Sequence, residues 1–303
     1  MKTPKFWAYD GWTAKVLAPI AAIYGAVTQW RMRCAKPYKS TAYVICIGNI
    51  TAGGVGKTPV AVAMAEKYIK EEKRVVFLTR GYKSKLKNVV VDLEKMPPEI
   101  TGDEARILAG VAPVIIAPDR AKGAKIAENM GAEVIIMDDG FQNPRLYKDE
   151  SWLVFDGTTG IGNGKIIPSG PLRETLENGE KRADHILIMG EDKTGLASKC
   201  RLPVSFGHLE PLPFDLAEKK VLAFAGIGHP EKFYQTLRDL GYEVVISHDF
   251  ADHYAYKEAD VARLLKEAAA KELAVVTTEK DFVKLPVKYR WQIHCLKICA
   301  LWE

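Results

Sequence analysis

The chain has 303 residues, 48% of them hydrophobic and 27% charged, which is enough for two packed units and typical of an ordinary globular protein; no low-complexity tract or internal repeat is present. The formal charge of +5 is uneven: residues 1–41 hold seven basic groups and one acid, the remainder 36 basic and 37 acidic. A general nucleic-acid binder spreads basic charge over its domains, so no nucleic-acid partner is expected.

The positive charge of residues 1–41 brackets an uncharged run, residues 16–30, flanked by Lys15 and by Arg31 and Arg33. Fifteen residues at about 1.5 Å each fall short of a hydrocarbon core roughly 30 Å thick. A basic start before an apolar stretch also suits a signal peptide, but the phosphate-binding loop that follows needs a cytoplasmic nucleotide. Phe6, Trp7, Tyr9, Trp12 and Trp30 are residues of the membrane interface, and the basic groups suit anionic lipid. Residues 1–40 are expected to form a helical segment lying in a membrane surface, in peripheral contact only.

Residues 42–47 (AYVICI) read as a buried strand that runs into Gly48-Asn49-Ile50-Thr51-Ala52-Gly53-Gly54-Val55-Gly56-Lys57-Thr58-Pro59, and a helical pattern follows. Strand, glycine-rich turn and helix form the context of a P-loop, in which backbone N–H groups and a helix N-terminus cradle phosphate. Thr51, Ala52, Gly53, Gly54, Val55, Gly56, Lys57 and Thr58 are therefore expected to bind ATP, with Lys57 on the terminal phosphates and Thr58 on Mg²⁺. Thr51 stands where the usual pattern has its first glycine. Ala52 stands where the partition ATPases carry a signature lysine.

Three more strands are expected at residues 75–78, 114–117 and 134–137, with a helix at 121–130 among the intervening segments, which predicts a parallel sheet covered on both faces. Polar residues stand at the strand ends, where ligands gather in such sheets. Asp138 and Asp139 end the last of them, and one or the other is expected to hold Mg²⁺, directly or through water. Beyond residue 150, residues 160–164 (GIGNG) read as a mobile loop near the site. Strands near 185–189, 221–225, 244–247 and 274–277 and helices near 231–240 and 257–271 form a second α/β pattern. The expected architecture is thus a P-loop NTPase-like parallel-sheet domain at 41–150 and a smaller α/β/α domain at 151–303. The active site lies in the cleft, and a final strand near 292–300 is free to return to the first domain. Five cysteines in no framework spacing read as reduced thiols; Cys295 and Cys299 have no second pair to make a metal site.

The ordered motifs resemble the tetraacyldisaccharide 4′-kinases of lipid A synthesis over nearly the whole chain. They are the loop from Gly48 to Pro59, Arg80-Gly81-Tyr82, Gly102-Asp103-Glu104, Asp119-Arg120 and Asp138-Asp139-Gly140-Phe141-Gln142. In the second half come Pro168-Ser169-Gly170-Pro171-Leu172-Arg173-Glu174, Phe250-Ala251-Asp252-His253 and Thr277-Thr278-Glu279-Lys280-Asp281. The resemblance implies transfer of the γ-phosphate of ATP to the 4′-hydroxyl of a tetraacyldisaccharide 1-phosphate, at the cytoplasmic face of the bacterial inner membrane, with no obligate protein partner. It implies an aspartate–histidine pair, Asp103 and His253, with either member open as the base. Arg120 and Arg173 are candidates to stabilise the transferring phosphoryl group or to hold the substrate's own phosphate. Glu174 is a candidate for the metal shell or for a surface ion pair, and Gln142 for orienting phosphate or water. Asn143 replaces a histidine common in the family and is given no role; Tyr254 replaces a second histidine, which leaves His253. Two readings stay open beside this one: a P-loop kinase of another lipid or sugar, and a membrane-bound nucleotide switch.

Overall fold

The computed structural model describes residues 4–81, 84, 86–252 and 254–303. A long helix, α1 (Trp12–Cys34), precedes β1 (Tyr43–Gly48), which leads through the glycine-rich loop to α2 (Lys57–Lys70). Then follow β2 (Val75–Thr79), β3 (Val89–Val90), α3 (Pro98–Thr101), α4 (Asp103–Ala109), β4 (Val114–Ile116), α5 (Arg120–Asn129) and β5 (Val134–Asp138). The alternation continues with β6 (Glu150–Asp156), α6 (Leu176–Glu180), β7 (His185–Met189) and β8 (Val204–Pro211). The last part holds β9 (Lys220–Ala225), α7 (Pro230–Asp239), β10 (Glu243–Asp249), α8 (Glu258–Ala269), β11 (Ala274–Thr278), α9 (Glu279–Phe282), β12 (His294–Leu296) and β13 (Ile298–Trp302).

β1 is buried on both faces: Val44 and Cys46 join the core on one side of the sheet, Ile45 and Ile47 the core on the other. That double burial is why the strand reads as an unbroken apolar run. It sits inside a nine-stranded sheet of order β13-β8-β7-β6-β1-β5-β2-β4-β3, parallel except for β3 and β13 at the two edges. From β1 the chain moves to β2 on one side, returns to place β5 next to β1, and then adds β6 on the other side. The crevice at the carboxyl ends of β1, β5 and β6 is the position such a reversal reserves for ligand. Val60, Ala61, Met64 and Ala65 of α2 and Ala105 and Leu108 of α4 pack on one face of the sheet, Ala124 and Ala127 of α5 on the other.

A second sheet, β10-β9-β11-β12, is parallel throughout and carries its own two cores beneath α7 and α8. The expected division at residue 150 does not follow the sheets. β6 pairs directly with β1, from Ile45 opposite Glu150 to Gly48 opposite Leu153, and β7 and β8 extend the same sheet. Alternating strands and helices look alike whether they lengthen one sheet or begin another. The small sheet is confined to Lys220–Leu296, and after Lys297 alone β13 lies antiparallel to β8 in the large one.

α1 buries Ala14, Ala21 and Gly25 and leaves Trp12, Val16, Ile20, Ile23, Val27 and Trp30 exposed. Those six recur at steps of three and four residues, so they form one stripe along the helix. No helix among the described residues is long and apolar enough to cross a membrane. The loop at 160–164, expected near the site, instead fastens the N-terminal segment. Asn163 donates its backbone N–H to Trp7 O at 2.8 Å and its side-chain amide to Ser169 O at 3.0 Å. All five cysteines are free thiols.

Candidate active site

The glycine-rich loop begins anchored and ends open. Thr51 is buried and bridges Leu172, and the Ala52 N–H donates to Pro171 O at 2.8 Å. Both residues, expected in the phosphate cradle, are thus spent on holding the loop to the segment 171–173, whose Arg173 N–H donates to Ile50 O at 2.7 Å. That leaves Gly53, Gly54, Val55, Gly56, Lys57 and Thr58 as the candidate phosphate cradle. Gly53 at φ 131° and Gly56 at φ 82° adopt backbone conformations that disfavour side chains. A Cβ on Gly53 or Gly54 would meet nothing within 4 Å, so the loop faces open space. α2 starts at Lys57 with no side-chain cap, which leaves its first N–H groups to an anion.

β5 delivers the two acids beside this loop. Asp138 accepts from Thr58 Oγ1 through Oδ2 at 3.2 Å, while its buried Oδ1 has no hydrogen-bond partner among the described residues. Burial first, and then the charge of Glu104, push its pKa up to about 7. A hard cation beside Thr58 and Asp138 would satisfy the orphaned oxygen and the uncompensated charge together, so these residues fit Mg²⁺. Asp139 takes the left-handed backbone at φ 53° and turns outward. Its Oδ1 meets Lys57 Nζ at 3.5 Å and Arg173 Nη1 at 3.2 Å. Burial acts to raise its pKa, but Lys57 and Arg173 outweigh it and hold the carboxyl below its ordinary value.

Arg173 also donates to Gln142 Oε1 at 3.1 Å, and Gln142 Nε2 donates to Asn49 O at 2.8 Å and Glu174 Oε1 at 3.1 Å. The other oxygen of Glu174 pairs with Arg182, whose guanidinium lies over the Phe141 ring. Both Glu174 oxygens are therefore held by protein groups, which makes it a strut under Arg173 and Gln142 in this arrangement rather than an open ligand. Arg182, in the turn after α6, had no signal in the sequence. Arg120, a candidate for phosphate, is only 2% exposed. Its Nη1 donates to Ala117 O at 2.5 Å and its buried Nε has no partner among the described residues. Burial lowers its pKa to about 10. It adds positive potential behind Asp138 and Asp139 instead of presenting a fork to solvent.

Asp103 opens α4, and α4 packs against α9 of the small unit. The side chain of Asp103 is 10% exposed, and Oδ2 lies 4.0 Å from Lys280 Nζ. Lys280 also pairs with Asp252 at 3.4 Å. Beside Asp103, Glu104 has its pKa raised, by burial and then by the charge of Asp103. His253 and Tyr82 lie outside the described residues.

Comparison with known proteins agrees with the geometry. The family model described as tetraacyldisaccharide-1-P 4′-kinase matches residues 13–302. Tetraacyldisaccharide 4′-kinases of Rhodospirillum rubrum and Paramagnetospirillum magneticum are each 43% identical, over the whole of this chain and 94% and 95% of theirs. The crystal structure of LpxK from Aquifex aeolicus in complex with ATP superposes with a TM-score of 0.78 at 28% identity, covering 96% of this chain and 95% of that one. The chain belongs to the tetraacyldisaccharide 4′-kinase family and is an ATP-dependent kinase of lipid A synthesis.

Proposed function

We propose that the chain transfers the γ-phosphoryl group of ATP to the 4′-hydroxyl of tetraacyldisaccharide 1-phosphate with the residues assembled at the ends of β1 and β5. The observation that carries this reading is the convergence of Lys57, Thr58, Asp138, Asp139 and Arg173 on one crevice. Gly53 to Thr58 bind the phosphates through backbone N–H groups and the Lys57 ammonium. Thr58, Asp138 and Asp139 would hold Mg²⁺, which when bound offsets charge on the β- and γ-phosphates. Arg173, aimed by Gln142 and Asp139, stabilises charge on the group in flight.

Asp103 accepts the proton of the 4′-hydroxyl as its oxygen bonds to the γ-phosphorus and the bond to the β-phosphate oxygen breaks, leaving ADP. His253 is assigned to orient Asp103 or tune its basicity. This assignment is supported by the fact that Asp252, its neighbour in the chain, shares Lys280 with Asp103.

The substrate's acyl chains remain in a bilayer, and the exposed stripe on α1 supports a peripheral seat for the enzyme on the cytoplasmic face of the inner membrane. The test is direct: purified protein, Mg-ATP and the tetraacyl disaccharide 1-phosphate in detergent, with the lipid analysed by mass spectrometry. A gain of one phosphate that disappears in Lys57→Ala is expected. An unchanged lipid with folded, ATP-binding protein would redirect the search to other acceptors, and ATP turnover without any acceptor to a switch.

A further inference from the structure

Lys280 stands in a segment, residues 277–281, to which the chemistry above assigns no role. It lies on α9, in the small unit, yet its ammonium reaches Asp103 of the large unit at 4.0 Å as well as Asp252 of its own at 3.4 Å. The platform beneath it is densely hydrogen-bonded. Asp281 is fully buried and accepts from the Gly226 N–H at 2.9 Å, Tyr256 Oη at 3.0 Å and Thr278 Oγ1 at 2.7 Å, and pairs with Lys284 at 2.7 Å. One carboxylate thereby ties the end of β9, the chain after Asp252 and the start of α9 into a single piece. Phe250, Tyr254 and Tyr256 pack their rings against one another at 4.9 to 5.2 Å beneath the same loop. Whatever places this piece also places Lys280 and Asp252 together.

Three carboxylates surround Lys280: Asp103 and Glu104 from α4 and Asp252 from the opposite unit. Lys57 and Asp139 complete the local field. Like charges so placed repel, and with Asp103 largely shielded from solvent the repulsion is poorly screened. A compact ammonium with three donors can serve two carboxylates at once. A separation of 4.0 Å is an ion pair and not yet a hydrogen bond, so slight closure of the cleft would tighten it.

We propose that Lys280 is a positioning residue for phosphoryl transfer: its ammonium latches Asp103 to Asp252 across the two units and so sets the carboxylate of Asp103 against the acceptor hydroxyl. The proposal rests on the reading of Asp103 as the base. In full-length enzyme, Lys280→Met is expected to lower kcat by about 10- to 100-fold, the scale of a misplaced catalytic group, with the Kd for Mg-ATP within about twofold of the parent. Lys280→Arg, which keeps the charge, recovers most of that loss. In an Asp103→Asn background, Lys280→Met adds no further loss, because the group it positions is already gone. Parental kcat in Lys280→Met, or an additive loss in the double variant, overturns the latch. So does a fall in kcat matched by equal falls in ATP affinity and Tm and not recovered by arginine. Full turnover in Asp103→Asn overturns the base reading instead, and is read without any Lys280 variant.

Discussion

Asp138 accepts from the Thr58 hydroxyl with one oxygen and is raised to about 7 by burial and by Glu104. An acid whose folded pKa lies above its unfolded value of 3.8 binds its proton more tightly in the folded state. Metal-free protein therefore loses stability as pH rises from about 4 to 7, by up to about 4 kcal/mol for a shift of this size. Asp138→Asn in EDTA should raise Tm, with a gain that grows between pH 5 and pH 8; a pH-independent Tm difference would show that the buried charge is not what costs stability. With Mg-ATP present the same variant should lose the stabilisation that ligand gives the parent. Arg173 makes a second residue-scale case. Both of its contacts, to Asp139 and Gln142, come from Nη1, so what a lysine would lack there is the rest of the guanidinium fork, which suits a phosphoryl group. Arg173→Lys should lower kcat by about 100-fold while KM for ATP changes little, measured by steady-state kinetics at saturating lipid. Lys57, Thr58 and Asp138 were legible because a glycine-rich turn and a strand end fix where their side chains go. The sequence left Glu174 open between a metal role and an ion pair, gave Arg182 no signal and gave Lys280 no role, because a charge's partner is set by tertiary contact that no local spacing encodes.

At the scale of elements, α1 does two things. Its outer stripe leaves Trp12 76%, Ile23 67% and Trp30 66% exposed, with Arg31 and Arg33 in the last turn. Ile20→Asp with Ile23→Asp places two charges in the middle of that stripe and should abolish most binding to anionic liposomes, read by cosedimentation; undiminished binding would remove α1 from the membrane contact. Its inner side, together with the turn at residues 5–8 before it, holds the loop that grips the nucleotide site. Trp7 Nε1 donates to Pro168 O at 3.1 Å, Ser169 Oγ donates to Ala14 O at 2.5 Å, and two residues later Pro171 receives the Ala52 N–H. Deleting residues 1–36 should therefore lower turnover even in detergent, where no membrane is needed; parental turnover there would show that the loop holds itself. The strands β1, β2, β4, β5, β7, β9, β10 and β11 and the helices α5, α7 and α8 were legible, since unbroken apolar runs and three-to-four-residue steps are local patterns, whereas β3, β6 and β8 had no such expectation. The clasp between residues 160–164 and the N-terminus was not, because glycines announce a turn without saying what it touches.

At the scale of the whole molecule, both connections between the two sheets run along one edge. The chain leaves the large sheet after β8 and returns through Lys297 into β13, and the Leu212 N–H donates to Lys297 O at 2.9 Å where the two crossings meet. A pair of hydrogen-bonded strands is thus the seam about which the small unit, with Lys280 and Asp252, sits over the crevice. A possible returning last strand was legible as an apolar run. That it would cover the P-loop helix was not, because strand order depends on which edge remains unpaired. β13 packs on α2, and Ala300 is buried among the residues that also hold Met64 and Ala65. A charge there has no partner and no water, so Ala300→Asp should cost about 3 kcal/mol or more and lower Tm by several degrees. Because the strand supports both the seam and the helix that starts at Lys57, the variant should lose ATP affinity together with stability. An Ala300→Ser control, which adds one hydroxyl at the same place, should lose far less of either. Equal Tm and equal ATP binding in Ala300→Asp and the parent would mean that β13 merely lines the sheet edge, and that closure of the cleft does not run through it.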